Sequence, residues 1–134
     1  MSNDIIVERR PIPYAIYKNW LAKRETYCPP REELPDIGFH VCVDGKPVAA
    51  GYLRKCEGDY GMIDSLATDP DASATDRDKA LNYLVEQLIL AAHKNHMKVL
   101  VSFSFDQNTI DRARGYGFEV LPHKTLVKSL MERY

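Results

Sequence analysis

The stretch from Met62 to Leu88 constrains this chain more than any other part of it. Met62-Ile63-Asp64-Ser65-Leu66-Ala67-Thr68 reads as a strand, and Asp69-Pro70 stops it. A polar loop follows, Asp71-Ala72-Ser73-Ala74-Thr75-Asp76-Arg77-Asp78-Lys79. Apolar residues then recur at 80, 81, 84, 85, 88 and 89, the stripe of a helix with one face in a core. That helix is expected from about Asp76 to His93, with an acidic first turn and His93 and Lys94 in the last, as the helix dipole favours. A strand that runs through a short loop into a core-facing helix belongs to a helix-on-sheet, α/β architecture.

The flanking segments extend that pattern. Asp4 to Glu8 carries Ile5-Ile6-Val7, a first strand stopped by Pro11 and Pro13. Tyr14 to Glu25 places Ile16, Tyr17, Trp20 and Leu21 on one helical face, and Cys28-Pro29-Pro30 ends it. Arg31 to Asp36 holds a short helix or a loop. Phe39–Val43 and Pro47–Leu53 flank Asp44-Gly45, a strong two-residue hairpin signal. Glu57-Gly58-Asp59 is the next turn, and Tyr60 to Thr68 the strand after it. Lys98 to Phe105 alternates Val99, Val101, Phe103 and Phe105 on one face. Gln107 to Arg114 is a short helix ended by Gly115-Tyr116-Gly117. Glu119–Leu121 and Thr125–Leu130 are expected to give one or two final strands, with Leu126, Leu130 and Tyr134 four apart as a tail or a partner-binding end. No internal repeat is present.

Composition excludes several classes of function. The 134 residues are the size of one domain, 1–134, with an ordinary 45% apolar and 28% charged content. Net charge is -1, from 18 basic and 19 acidic residues mixed along the chain, so no basic stripe points to nucleic acid. Apolar runs are too short for a membrane span. Met1-Ser2-Asn3-Asp4 reads as no secretory signal. Cys28, Cys42 and Cys56 are fourteen apart and form no CxxC, which fits reduced thiols in a cytoplasm. His93 and His96 lack a second ligand pair, so no metal site is expected. His40 and His123 are single histidines in strand contexts and read as structural.

The order of elements, together with local motifs over nearly the whole chain, resembles the GCN5-related N-acetyltransferase (GNAT) superfamily. Asp44-Gly45 with Pro47-Val48-Ala49-Ala50-Gly51-Tyr52 resembles that family's second and third strands. Leu66-Ala67-Thr68-Asp69-Pro70 resembles the end of its fourth strand, and Asn108 with Gly117-Phe118-Glu119 its closing signature. The resemblance implies an acyl-CoA N-acyltransferase fold: a mixed, mostly antiparallel sheet flanked by helices and splayed between its fourth and fifth strands. Pantetheine would lie in the splay on the backbone of Leu66, Ala67 and Thr68. The pyrophosphate would rest on the helix start formed by Ser73, Ala74, Thr75, Asp76, Arg77, Asp78 and Lys79, where free N–H groups and the dipole favour an anion. Asn108 would border the same cofactor, acetyl-CoA.

The loop departs from the family pattern. The family's arginine or glutamine and its two small residues fall on Ser73, Asp76 and Asp78. Two carboxylates near a diphosphate repel it by about 1 kcal/mol or more per close contact even in a wet site. Ser73-x-x-Asp76 and Thr75-x-x-Asp78 are capping-box patterns, and a capping side chain takes N–H groups a phosphate needs. Arg77 and Lys79 are placed to approach a phosphate from the side. A plain capped helix start and an altered CoA site both remain open. The family's acid, a tyrosine five residues after the asparagine, is replaced by Ala113. Ser104 and Asn108 remain as possible donors, and Tyr116 is a further candidate whose place before Gly117-Phe118 reads rather as a core aromatic.

Acetyl transfer to an amine needs an N–H for the thioester oxygen, for which Leu66 or Ala67 is the candidate, and a base. Asp64, Asp69 and Glu57 are the candidate bases, with Asp64, next to Ile63 on a strand, reading rather as solvent-facing. Tyr14, Tyr17 and Trp20 form an aromatic group that reads as core, on a helix that the resemblance would put along the acceptor side. Two functions follow. One is an acetyl-CoA-dependent N-acetyltransferase with an amine-bearing small molecule or protein as acceptor. The other is an inactive GNAT-fold protein that has lost acetyl-CoA and binds a protein. The acidic, Ser/Thr-rich loop resembles those of GNAT-like proteins of tailed bacteriophages, which would make that partner a host or virion protein in the bacterial cytoplasm. Either reading leaves room for a homo-oligomer.

Overall fold

A computed structural model describes residues 4–104 and 106–130. The chain divides into two compact units, Met1–Ser102 and Phe103–Tyr134.

The first unit is built on a five-stranded sheet in the order β1 (Ile5–Glu8), β2 (Ile37–Val43), β3 (Lys46–Lys55), β4 (Tyr60–Thr68), β5 (Val99–Val101). The first three pairings are antiparallel and β4–β5 is parallel, so the sheet is mixed. Asp44 and Gly45 both adopt positive φ, 51° and 80°. That conformation sets the tight β2–β3 hairpin. Helix α1 (Tyr14–Lys23) packs Tyr17, Trp20 and Leu21 with Ile12 against Ala50, Tyr52 and Ala67 of the sheet. A single 3₁₀ turn at Arg31–Glu33 follows it.

Helix α2 (Ala74–Lys94) covers the other face and is the crossover that a parallel β4–β5 pair requires. Its buried stripe is Ala80, Leu84, Val85, Leu88, Ala91 and Ala92, close to the expected periodicity. It begins two residues before the expected Asp76, because Ser73 caps it. Gly51 of β3 is a point of contact with this layer. A Cβ there would overlap Leu66 Cδ2 and meet the Leu84 and Leu88 methyls at 3.3 Å. The absent side chain thus lets Leu66 lie across the strand.

The second unit contains α3 (Gln107–Gly115), capped by Asp106, whose carboxylate accepts from the Thr109 N–H at 3.0 Å. The strand expected at Lys98–Phe105 is confined to Val99–Val101, and Phe105 lies outside the described residues. The final strands expected at Glu119–Leu121 and Thr125–Leu130 are absent among the described residues. Alternation of side chains records which residues suit a strand. A strand also needs a hydrogen-bonding neighbour, and none pairs with these segments among the described residues. Leu126, Val127 and Leu130 are exposed, and Tyr134 lies outside the described residues. No described helix is long and apolar enough to cross a membrane.

Candidate functional site

The geometry of interest begins inside β4. From Lys55↔Gly61 to Tyr52↔Asp64 the β3–β4 register is regular, and then Ala50 faces Ala67. Two steps along β3 therefore match three along β4, a β-bulge that absorbs one extra residue. Ser65 sits there with φ of 55°. This is the left-handed region, which a non-glycine residue rarely occupies. Its carbonyl accepts a hydrogen bond from the Tyr17 hydroxyl at 3.2 Å. Burial pushes the Tyr17 phenol up to about 12, so it remains an O–H donor through the physiological range.

On its other edge β4 pairs with β5 only at Tyr60, Gly61 and Met62. From Ile63 to Thr68 that edge has no strand partner among the described residues. Leu66, Ala67 and Thr68 thus lie on an open sheet edge, with Ala67 buried and its neighbours half-buried. An exposed edge offers alternating N–H and C=O groups, the complement of an amide-bearing chain.

Asp64 lies just before the bulge, its side chain 24% exposed and held by two hydrogen bonds. Arg54 Nε donates to its Oδ2 at 2.7 Å and the Ser65 hydroxyl to its Oδ1 at 2.9 Å. Arg54 also donates to the Glu33 carbonyl at 3.0 Å, which fixes the guanidinium. Of the other two candidate bases, Asp69 is buried and accepts from the Asp71 N–H at 2.9 Å. That bond makes an Asx turn, which shapes the loop. Glu57 is exposed in the β3–β4 turn, before the start of β4. His40 is buried with Nδ1 2.9 Å from the Arg10 carbonyl.

The loop after β4 is held by its own atoms. Ser73 has extended backbone and its Oγ accepts from the Asp76 N–H at 3.1 Å, an N-cap. Arg77 folds back, donating from Nη1 to the Ala72 carbonyl at 2.9 Å and the Pro70 carbonyl at 3.2 Å. The end of α1 reaches the same loop: Lys23 is ion-paired with Asp71, and Arg24 donates to Thr68 Oγ1 at 2.9 Å. The hydrogen bond from Lys23 holds the Asp71 carboxyl below its ordinary range, and Asp71 raises the Lys23 ammonium in return. Ala74 and Thr75, exposed at the start of α2, keep N–H groups with no partner among the described residues. Asp78 and Lys79 differ little from the expected helix surface, while Asp76 is half-buried.

The remaining predicted residues belong to the second unit. Asn108 is exposed in the first turn of α3, and Ser104 Oγ accepts from the Asp106 N–H at 3.1 Å. Tyr116 is the C-cap of α3 and 38% exposed, so it is not a buried core aromatic. Sequence reasoning missed Tyr17, Lys23, Arg24 and Arg54 as residues of the β4 site. Their partners lie 48, 48, 44 and 10 residues away, and no local spacing records such pairings.

Coenzyme A fits these groups unevenly. The open β4 edge suits the pantetheine amides, and the Ala74 and Thr75 N–H groups suit an anion. The Ser73 cap and the folded-back Arg77 leave the pyrophosphate fewer donors than a glycine loop would. The residues present therefore match the pantetheine amides at the β4 edge better than they match the diphosphate.

No protein-family model matches the chain, and no curated protein matches it in sequence. Solved structures do match it in shape. A GNAT-family acetyltransferase from Streptococcus pneumoniae is similar at 13% identity and TM-score 0.69, over 96% of this chain and 100% of that one. Glucosamine-6-phosphate N-acetyltransferase from Arabidopsis thaliana is similar at 13% identity and TM-score 0.60, over 96% and 99%. N-acetylglutamate synthase from Neisseria gonorrhoeae, complexed with coenzyme A and N-acetyl-glutamate, is similar at 17% identity and TM-score 0.58, over 85% of this chain and 28% of that one. The mixed five-stranded sheet with its flanking helices is the fold of the GCN5-related N-acetyltransferases.

Proposed function

We propose that this chain is an acetyl-CoA-dependent N-acetyltransferase that moves an acetyl group to an amine. The observation that carries the reading is the Ile63–Thr68 edge of β4, which has no strand partner among the described residues and leads through the Ser65 bulge to the N–H groups at the start of α2. Leu66, Ala67 and Thr68 would hold the pantetheine through backbone groups, and Ala74 and Thr75 the diphosphate. Acetyl-CoA supplies a thioester, whose C–S bond breaks as the amine forms a C–N bond. The Leu66 or Ala67 N–H would donate to the carbonyl oxygen. Asp64, with Arg54 beside it, is the candidate base for the proton that the amine loses.

A second reading rests on the loop. Ser73, Arg77 and the Lys23–Asp71 pair satisfy among themselves groups that a diphosphate would otherwise use. That arrangement suits a GNAT-fold protein that has given up the cofactor and binds a host or virion protein in bacterial cytoplasm, as the loop's phage-like composition suggests.

Calorimetry and thermal shift with acetyl-CoA and CoA separate the two readings. A ligand at a thousandfold excess over its dissociation constant stabilises the fold by roughly 4 kcal/mol. Binding followed by acetylation of an amine panel, lost in Asp64→Asn, is the expected result. No thermal shift at millimolar acetyl-CoA would remove the enzyme reading and leave the binding protein.

A further inference from the structure

We infer that Tyr17 is a positioning residue for the cofactor edge: its hydroxyl holds the Ser65 carbonyl turned out of the ladder and so keeps the β4 bulge, and the edge beyond it, in binding geometry. The inference rests on the proposed use of that edge for acetyl-CoA. Ser65 is a non-glycine residue at φ of 55°. Such a conformation persists only where the surroundings impose it. Three contacts do so. Tyr17 donates to the Ser65 carbonyl, Ser65 donates to Asp64, and Arg54 fixes Asp64.

Only the first acts on the backbone of Ser65 itself, and it comes from a residue with no freedom to move away. The Tyr17 ring is 1% exposed, stands edge-on to Tyr52 at 5.9 Å between centroids, and is packed with Trp20, Leu21 and Ile12. Without that donor the Ser65 carbonyl would be free to return to extended backbone. The register beyond it would then slip by one residue, which exchanges the faces of Leu66 and Ala67. Leu66 now lies over Gly51 toward α2, and Ala67 packs on the α1 side. A slip would place Leu66 in the space of Ala67, so the hold and the packing support one register.

The test is a double-mutant cycle of Tyr17→Phe and Ser65→Gly, because glycine takes positive φ without a hold. Amide hydrogen exchange at Ser65, Leu66 and Ala67 is one readout and acetyl-CoA affinity the other. Tyr17→Phe should speed exchange at these amides by about fivefold or more, the equivalent of one net hydrogen bond, and weaken acetyl-CoA by a similar factor. In the Ser65→Gly background the same substitution should change neither. Tyr52→Phe, which removes a neighbouring hydroxyl not bonded to Ser65, should leave exchange as it is.

Unchanged exchange in Tyr17→Phe, or an equal loss with and without Ser65→Gly, would overturn the inference. A Tyr17→Phe protein that fails to fold supports it only if Ser65→Gly restores folding, and overturns it otherwise. If the unaltered chain binds no acetyl-CoA, the enzyme reading fails while the exchange cycle still decides the role of Tyr17.

Discussion

Lys23, in the last turn of α1, is ion-paired with Asp71, in the loop before α2. The pair joins one helix to the segment that would face a diphosphate, and its charges are opposed in their effect there. Lys23 would attract the ligand, and Asp71 holds it in place and screens it. Both side chains are substantially exposed, at 44% and 63%. An exposed pair adds little to stability, so its weight falls on ligand binding.

The pH dependence of this pair has a definite sign. The Asp71 carboxyl is lowered from its ordinary value and the Lys23 ammonium raised from its own, each by the other. The contribution of Asp71 is therefore complete above the ordinary carboxylate range and is lost as pH falls through its lowered value. That of Lys23 is complete below its ordinary range and is lost as pH rises through its raised value. The small Tm difference between the chain and Asp71→Asn should be flat across the neutral range and close as pH falls below the ordinary carboxylate range. It should also shrink with salt. At neutral pH the same variant should bind acetyl-CoA more tightly, because Lys23 is released and a carboxylate removed. Weaker binding would place the diphosphate elsewhere.

The Ser73 cap separates stability from binding. Ser73→Ala should cost about 1 kcal/mol in urea unfolding, and Ser73→Gly only a few tenths, because glycine leaves the helix end open to water. Ser73→Gly also frees the Asp76 N–H for an anion, so acetyl-CoA affinity should rise in it with little change in Tm. A loss of affinity would mean that the Ser73 hydroxyl is itself a ligand contact.

Gly51 is a tight point between the sheet and α2 near the site. Gly51→Ala drives a methyl into Leu66 Cδ2. The substitution should destabilise the fold by about 1–3 kcal/mol, the usual cost of overpacking. Leu66→Ala in the same chain should return part of that loss by removing the atom that clashes. Chemical denaturation of the two single variants and the double variant measures the coupling, and additive losses would show that Leu66 does not lie over Gly51.

These relationships divide into those a local pattern could carry and those it could not. The Asp44-Gly45 hairpin, the α2 stripe and the Ser73 cap each depend on residues a few positions apart, and the chain's spacing displays them. The Ser65 bulge does not, because nothing in Met62–Thr68 marks an extra residue. It follows from the Ala50–Ala67 pairing and from a hydroxyl 48 residues earlier. The segment 119–130 illustrates the converse. Its short apolar pairs, Val120-Leu121 and Leu126-Val127, suit strands, but no pairing partner is recorded in its own residues. Asp106 is a local signal of the first kind, since an aspartate directly before Gln107 is an ordinary N-cap.

Asp76 carries two effects of opposite sign. It lies in the first turn of α2, where its carboxylate favours the helix. The dipole makes that worth about 0.3–1 kcal/mol. In the same position it opposes any diphosphate that approaches the Ala74 and Thr75 N–H groups, by about 1 kcal/mol per close contact. Asp76→Asn should therefore lower Tm slightly and tighten acetyl-CoA by about fivefold. Asp78→Asn, further along the helix and so further from those N–H groups, should show the same signs with smaller amplitude. Calorimetry beside thermal denaturation reads both quantities on one sample. A stability loss with unchanged affinity in both variants would mean that the helix start faces no phosphate, and would favour the protein-binding reading over the transferase.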